Sequence, residues 1–115
     1  MTINLATLRK ANRVRQLEWP GSENIDLAFR GLELAGEVGE LCNKLKKLVR
    51  IRRGIEGTTE VPSALMRGVQ DEAADVLISL DLICMELGFD LSLATMVKFN
   101  ETSMKHGLET RLTDF

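Results

Sequence analysis

The chain contains 115 residues, of which 44% are hydrophobic and 28% are charged. This length and this ordinary globular composition exclude a multidomain enzyme and a disordered or fibrous chain, and they predict one domain over residues 1–115. Because 15 Lys and Arg residues nearly balance 17 Asp and Glu residues, no overall positive charge attracts nucleic acid or anionic lipid, and we expect neither as a partner.

Gly, Pro and capping residues divide the sequence into four predicted helices. Trp19 and Pro20 end the first helix, Gly54 ends the second, and Gly88 and Gly107 close the third and the fourth. The predicted helices span residues 4–18, 26–53, 62–87 and 91–105. No segment alternates like a strand, so the sequence predicts an all-α fold whose second and third helices form the central antiparallel hairpin.

The cysteine and histidine content indicates the cellular compartment and limits the kinds of catalytic or metal site that the chain can form. Cys42 and Cys84 lie within apolar periodic segments, which predicts small core residues with free thiols. The first residues contain no apolar leader, and acids interrupt the longest apolar stretch, 76–87, so we expect a cytoplasmic protein without a membrane span. His106 is the only histidine, which leaves little material for a zinc site or a catalytic triad.

A stripe of charged residues follows the second helix in alternating steps of four and three. The stripe consists of Glu33, Glu37, Glu40, Lys44 and Lys47. Each member directly precedes one residue of an apolar stripe, Leu34, Val38, Leu41, Leu45 and Leu48, and one residue is about 100° of helix rotation. The charged stripe should therefore border a buried stripe. Three acids at successive turns repel each other, which favours a cation among them.

Two acids on the third helix extend this pattern. Glu72 and Asp75 share a helix face and lead into twelve mostly apolar residues, and a helix that is apolar on all sides is expected to be buried. Acids in such a helix need a partner or a metal. If the hairpin brings them to Glu37 and Glu40, four carboxylates form a ligand set that suits Mg²⁺ or Mn²⁺. Acids at this spacing also occur on solvated helix faces, so the spacing leaves both interpretations open.

The acidic motifs and the C-terminal segment together resemble a known family. The matching segments are LAGEVGEL at 34–41, DEAADVL at 71–77 and KFNETSMKHG at 98–107. They resemble the MazG-like all-α nucleoside triphosphate pyrophosphohydrolase superfamily, in the form found in small phage and bacterial proteins, over residues 28–108. The resemblance implies a four-helix MazG-type fold that assembles into a homodimer or homotetramer.

The resemblance also implies an activity and roles for individual residues. It implies hydrolysis of nucleoside triphosphates between the α and β phosphates to give a nucleoside monophosphate and pyrophosphate, as in removal of non-standard or surplus nucleotides. Glu37, Glu40, Glu72 and Asp75 would be the Mg²⁺ ligands, and Glu37 or Glu40 would accept the proton of the attacking water. The candidate substrate-binding residues are Lys44, Lys47, Lys98 and Lys105 for phosphates, Asn100 for sugar or base, and Trp19 for base stacking.

Several alternatives stay open at this stage. Trp19 could instead be a core or hinge anchor, and the basic end of the second helix could be a solvated helix terminus. Asp81 has no cation nearby in the sequence, so it could bond to another helix or across an oligomer interface. The 30 residues between Glu40 and Asp71 exceed the common family spacing, and the extra length falls around 50–62, which leaves base preference open. A non-catalytic helical module whose acids bind a basic partner is the alternative function.

Overall fold

The computed structural model describes residues 2–113, and these residues form four α-helices. The helices are α1 (Leu5–Glu18), α2 (Leu27–Arg53), α3 (Pro62–Leu87) and α4 (Leu91–Lys105), with a short 3₁₀ turn at Ser22–Asn24 between α1 and α2. Within this described range there is no strand, so the predicted all-α class is confirmed. None of the four helices is long and apolar enough to cross a membrane.

Local capping explains why the helix limits agree with the sequence prediction. The side chains of Asn4, Asp26 and Asp90 each accept hydrogen bonds from backbone N–H groups in the first turn of α1, α2 and α4. Gly54 and Gly88 follow α2 and α3 with φ of 66° and 78°, a left-handed conformation that glycine adopts without strain. These signals are contained within a few residues, which makes them readable from the sequence.

Helices α2 and α3 form the predicted central hairpin and pack against each other along their length. Leu48 and Leu65 are buried close to the connection between the two helices. One turn further, the aliphatic part of Lys44 crosses Gly68, where its Cδ lies 3.1 Å from the place that a Cβ would take. The absence of a side chain at Gly68 thus lets a lysine lie within the interface between α2 and α3.

A buried ion pair holds α1 against α3. Asp81 is 1% exposed, and Arg9 Nη2 lies 3.0 Å from one of its carboxylate oxygens. Asn12 Nδ2 donates to the other oxygen at 2.9 Å, and Arg9 also donates to the carbonyl of Phe89 at the end of α3. Asp81 therefore bonds to another helix of the same chain, which resolves the alternative that the sequence left open.

The expected burial of the apolar stripe on α2 is wrong for most of its length. Leu48 is buried, but Val38 and Leu45 are both 40% exposed. Glu37 and Lys44 of the charged stripe are half-buried, so they are less exposed than these apolar neighbours. The reason is that α3 contacts the charged side of α2, while α4 packs against α1 and does not cover the leucines.

Two other burial predictions are corrected in the same way. Cys84 is buried as expected, but Cys42 is exposed on α2, because no other helix of the described residues covers the side of α2 that carries it. Helix α3, expected to be buried on all sides, leaves Leu77 38% exposed and Leu87 55% exposed. Its apolar surface is larger than α1 and α2 can cover.

Candidate metal centre and adjoining cavity

Three acids of the hairpin converge at one point between α2 and α3. One carboxylate oxygen from each of Glu37, Glu40 and Glu72 can be chosen so that all three lie within 4.8 Å of one another. Glu37 and Glu40 are three residues apart on α2 and share a face, while the antiparallel packing of α3 brings Glu72 to the same level. Glu37 and Glu72 are half-buried, and Glu40 is exposed. We call these three residues the acid cluster.

No Lys or Arg nitrogen within residues 2–113 lies within 4.0 Å of a carboxylate oxygen of the acid cluster. The observed ion pairs of the chain involve other carboxylates. One oxygen of Glu37 and one of Glu72, Oε2 in both cases, are buried without a hydrogen-bond partner. Buried carboxylate oxygens normally accept hydrogen bonds or bind a cation, so these two atoms mark an unsatisfied site.

Partial burial and the neighbouring acids raise the pKa of two members of the cluster, Glu37 and Glu72. Partial burial, together with the charges of Asp75 and Glu40, raises the pKa of Glu37. Partial burial and the neighbouring Glu40, Glu37 and Asp75 raise the pKa of Glu72 to about 7. At neutral pH Glu72 is therefore partly protonated, and a cation that bound there would displace this proton.

The donor set fits a hard divalent cation. It offers carboxylate oxygens only, which Mg²⁺ and Mn²⁺ prefer over softer ligands, and two of the oxygens lack partners. Asp75, the predicted fourth ligand, lies close enough for its charge to raise the pKa of Glu37 and Glu72. Its side chain is exposed and is not one of the three that converge.

A cavity of about 250 Å³ adjoins the acid cluster. Of the acid cluster, Glu37 lines this cavity, and Asp75 lines it as well. The walls come from α1, α2, α3 and the segment after α1, and they include the aromatic rings of Trp19 and Phe29. The structure therefore places Trp19 beside the predicted metal ligands, with 58% of its surface accessible.

The two predicted lysines of α2 are paired with an acid in the connection between α2 and α3. Glu60 Oε1 lies 2.7 Å from Lys47 Nζ, and its Oε2 lies 3.9 Å from Lys44 Nζ. The hydrogen bond from Lys47, and the charges of both lysines, lower the pKa of Glu60. Lys44 and Lys47 lie on the same face of α2 as Glu40. Both form ion pairs with the carboxylate of Glu60 in this structure.

The predicted substrate-binding residues of α4 do not line the cavity. Lys98 and Lys105 are exposed on α4, which packs against α1. Asn100 donates from Nδ2 to the carbonyl of Leu112 at 2.9 Å and accepts from the Leu112 N–H at 2.6 Å. Within one chain, Asn100 thus holds the C-terminal segment.

The sequence prediction missed Arg30, a buried residue of the cavity. Arg30 is 3% exposed and donates to Glu33 at 3.2 Å and to Gln16 on α1. It continues the four-three spacing of the charged stripe backwards by one step from Glu33, and extending the stripe to position 30 would have identified it.

No known protein family, curated protein or solved structure matches the chain.

Proposed function

We propose that this protein is a Mg²⁺-dependent nucleoside triphosphate pyrophosphohydrolase of the MazG-like type. The observation that carries this proposal is the convergence of three carboxylates, one of which, Glu37, also lines a cavity with aromatic walls. A nucleotide needs both features, because its phosphates require a cation and its base requires an apolar surface. The resemblance of the two acidic motifs supplies the class of reaction.

In this proposal, Glu37, Glu40 and Glu72 hold the cation, and Asp75 completes the site. A bound Mg²⁺ would neutralise the phosphate oxygens and lower the pKa of a coordinated water. Glu37 accepts the proton of the attacking water on a carboxylate oxygen that does not bind the cation. The water oxygen bonds to the α phosphorus, the bond to the bridging oxygen breaks, and pyrophosphate leaves.

The test is pyrophosphate release from a panel of ribo- and deoxyribonucleoside triphosphates with Mg²⁺. We expect turnover by the wild-type protein and a loss of at least about 100-fold in Glu37→Gln, since general-base catalysis alone contributes about that much. Asp71→Asn is the matched control, because Asp71 is an exposed acid beside Glu72 that is outside the cluster.

Two results would contradict the proposal. One is the absence of pyrophosphate release from every nucleotide tested, and the other is full activity in Glu37→Gln. If Mn²⁺ at millimolar concentration also fails to bind, the helical interaction module becomes the better assignment, since its acids would serve a basic partner.

The exposed surface supports a homo-oligomer as part of this proposal. The chain exposes 8582 Å², whereas a compact monomer of this mass exposes about 6,300 Å². The radius of gyration is 17.5 Å, compared with about 13 Å for a compact domain of this length. Leu93, Val97 and Met104 form an apolar stripe on α4 and are each more than half exposed.

A second copy of the chain is the occupant that we propose for this surface. The excess exposure of about 2,300 Å² per chain is in the range that an obligate dimer buries. Lys98 and Lys105 could then reach the acid cluster of the partner, which they do not reach in their own chain. Light scattering should show a dimer or tetramer, with dissociation in Val97→Glu and no dissociation in Thr95→Glu on the opposite face of α4. A wild-type monomer at micromolar concentration would overturn the assembly.

A further inference from the structure

The tip of the hairpin between α2 and α3 carries a charge opposite to that of the rest of the chain. Residues 44–67 contain seven Lys and Arg residues and two acids, which gives a net charge of +5. The remaining residues contain eight Lys and Arg residues and fifteen acids, which gives a net charge of −7. The nearly balanced overall charge therefore conceals a basic region, and a local positive field of this kind attracts polyanions.

Three of these cations form a row on one face of α2. Lys46, Arg50 and Arg53 follow steps of four and three, so they lie on successive turns and span about 10 Å of the helix axis. Lys46 and Arg53 are exposed, and Arg50 is half-buried. None of the three has a carboxylate within 4.0 Å among residues 2–113, since the ion pairs of that range involve other residues. We call these three residues the basic row.

The connection after α2 packs against the basic row without neutralising it. Gly57 has a φ of 121°, which favours glycine, and a Cβ at this position would lie 3.6 Å from Arg50 Nη1. The backbone thus approaches the guanidinium of Arg50 and supplies no acid. The helix dipole favours cations in the last turn of a helix, which contains Arg50 and Arg53 but not Lys46. Stabilisation of the helix end therefore does not account for the whole row.

We infer that the basic row binds the phosphate backbone of double-stranded nucleic acid. A duplex presents closely spaced phosphates along its length, so one duplex can contact all three cations of this extended row. Residues 44–67 contain no aromatic residue, so the tip offers no stacking partner for the bases of a single strand and no aromatic anchor for a bilayer interface. Contacts to phosphates alone carry no sequence information, so binding is independent of sequence.

This surface is separate from the proposed catalytic site. Ten residues separate Glu40 of the acid cluster from Arg50 at the middle of the basic row, which is about 15 Å along α2. Nucleic-acid binding can therefore be measured in EDTA, which removes any cation from the acid cluster. Its outcome does not depend on whether the protein hydrolyses nucleotides.

The experiment is fluorescence anisotropy of labelled DNA duplexes of about 20 base pairs, titrated with the full chain between about 20 and 200 mM NaCl. We expect affinity that falls as salt rises and that is equal for two duplexes of unrelated sequence. The double variant Lys46→Gln/Arg53→Gln should bind at least about tenfold more weakly at the lowest salt. Its logarithmic salt slope should be smaller by at least about 1.8, because each phosphate contact contributes about 0.9.

The double variant Lys10→Gln/Arg13→Gln is the matched control. It also replaces one exposed lysine and one exposed arginine, on α1, and it changes the net charge by the same amount. This control should keep the wild-type affinity and salt slope. Circular dichroism checks that both variants are folded.

Four results would overturn the inference. They are the absence of duplex binding at the lowest salt, an equal loss in the two double variants, a tenfold or greater preference for one duplex sequence, and equal or tighter binding of a single strand of the same length. Sedimentation with phosphatidylserine vesicles tests the membrane as the alternative partner. Capture by these vesicles that requires Lys46 and Arg53, without duplex binding, would identify the basic row as a membrane-binding surface instead.

Discussion

Two acidic residues of α3, Asp81 and Glu72, have opposite surroundings: one contacts a cation, and the other contacts further acids. Asp81 on α3 is almost inaccessible, and it is fully paired with Arg9 and Asn12 of α1. Glu72 on the same helix is half-buried, and it meets Glu37 and Glu40 instead of a cation. The first site pairs a buried carboxylate with a cation, while the second brings three carboxylates together.

The comparison separates an architectural carboxylate from a candidate functional one. Arg9 and Asn12 satisfy the buried carboxylate of Asp81, so its contribution to the packing of α1 against α3 accounts for it. Glu37 and Glu72 have no such partner among residues 2–113, and burial together with the neighbouring acids raises the pKa of both. Unpaired acids with perturbed pKa values beside a cavity are typical of functional sites.

The largest effect on stability is expected from breaking the architectural site. Asp81→Ala leaves Arg9 without its buried partner, which should lower the free energy of unfolding by about 3–5 kcal/mol. Urea denaturation followed by circular dichroism measures this. Asp71→Ala, at an exposed position of the same helix, should leave the midpoint unchanged. Equal midpoints for Asp81→Ala and the wild type would show that the ion pair does not hold α1.

The second prediction concerns the cation affinity of the acid cluster. Glu72→Gln should lower the affinity for Mn²⁺ by at least about tenfold, because loss of a ligand costs no less than loss of an outer contact. Isothermal titration calorimetry measures this, and Asp71→Asn is the matched control. In EDTA, Glu72→Gln should be at least as stable as the wild type, since it removes repulsion. Unchanged Mn²⁺ affinity would contradict the assignment of Glu72 as a ligand.

The third prediction is a pH dependence that belongs to Glu72. Its pKa is about 7 in the folded chain, against an ordinary value of 4.5, so the folded state holds the proton more tightly than the unfolded state. In EDTA, this group should therefore lower stability as pH rises from about 4.5 to 7, with no further change above that range. Thermal denaturation of the wild type should show this fall, and Glu72→Gln should reduce it. Parallel pH profiles for the two proteins would argue against this contribution.

A related outcome links this titration to metal binding. Because a cation must displace the proton of Glu72, Mn²⁺ affinity should increase between pH 6 and pH 8. Proton release should accompany binding at pH 6.5 and be smaller at pH 8. Calorimetry in two buffers of different ionisation enthalpy distinguishes this release from a simple change in affinity.

The smallest effect is expected where charge is paired at the surface. Glu60 is exposed and its pairs with Lys44 and Lys47 are accessible to solvent, so Glu60→Gln should hardly change the denaturation midpoint. The same variant should bind inorganic pyrophosphate more tightly at low salt, because it frees both lysines. Glu56→Gln in the same connection is the control. Equal binding by both variants would show that these lysines do not contact phosphate.

The sequence by itself determined the four helices and the spacing of the acids. Asn4, Asp26 and Asp90 cap helices through contacts within three residues, and such local signals do not depend on the rest of the fold. The steps of three and four place Glu37 and Glu40 on one face of α2 by helix geometry alone. Because the sequence also predicted an antiparallel hairpin of α2 and α3, it predicted that Glu72 lies close to Glu37 and Glu40.

Only the tertiary structure decided which faces meet. The partner of Asp81 lies 72 positions away in the sequence, and Glu60 reaches Lys47 through a turn that the sequence did not specify. Helix periodicity defines which residues share a face, but the orientation of that face depends on packing between distant segments. For this reason the sequence overestimated the burial of Cys42 and Val38, and it gave no sign of the cavity around Arg30.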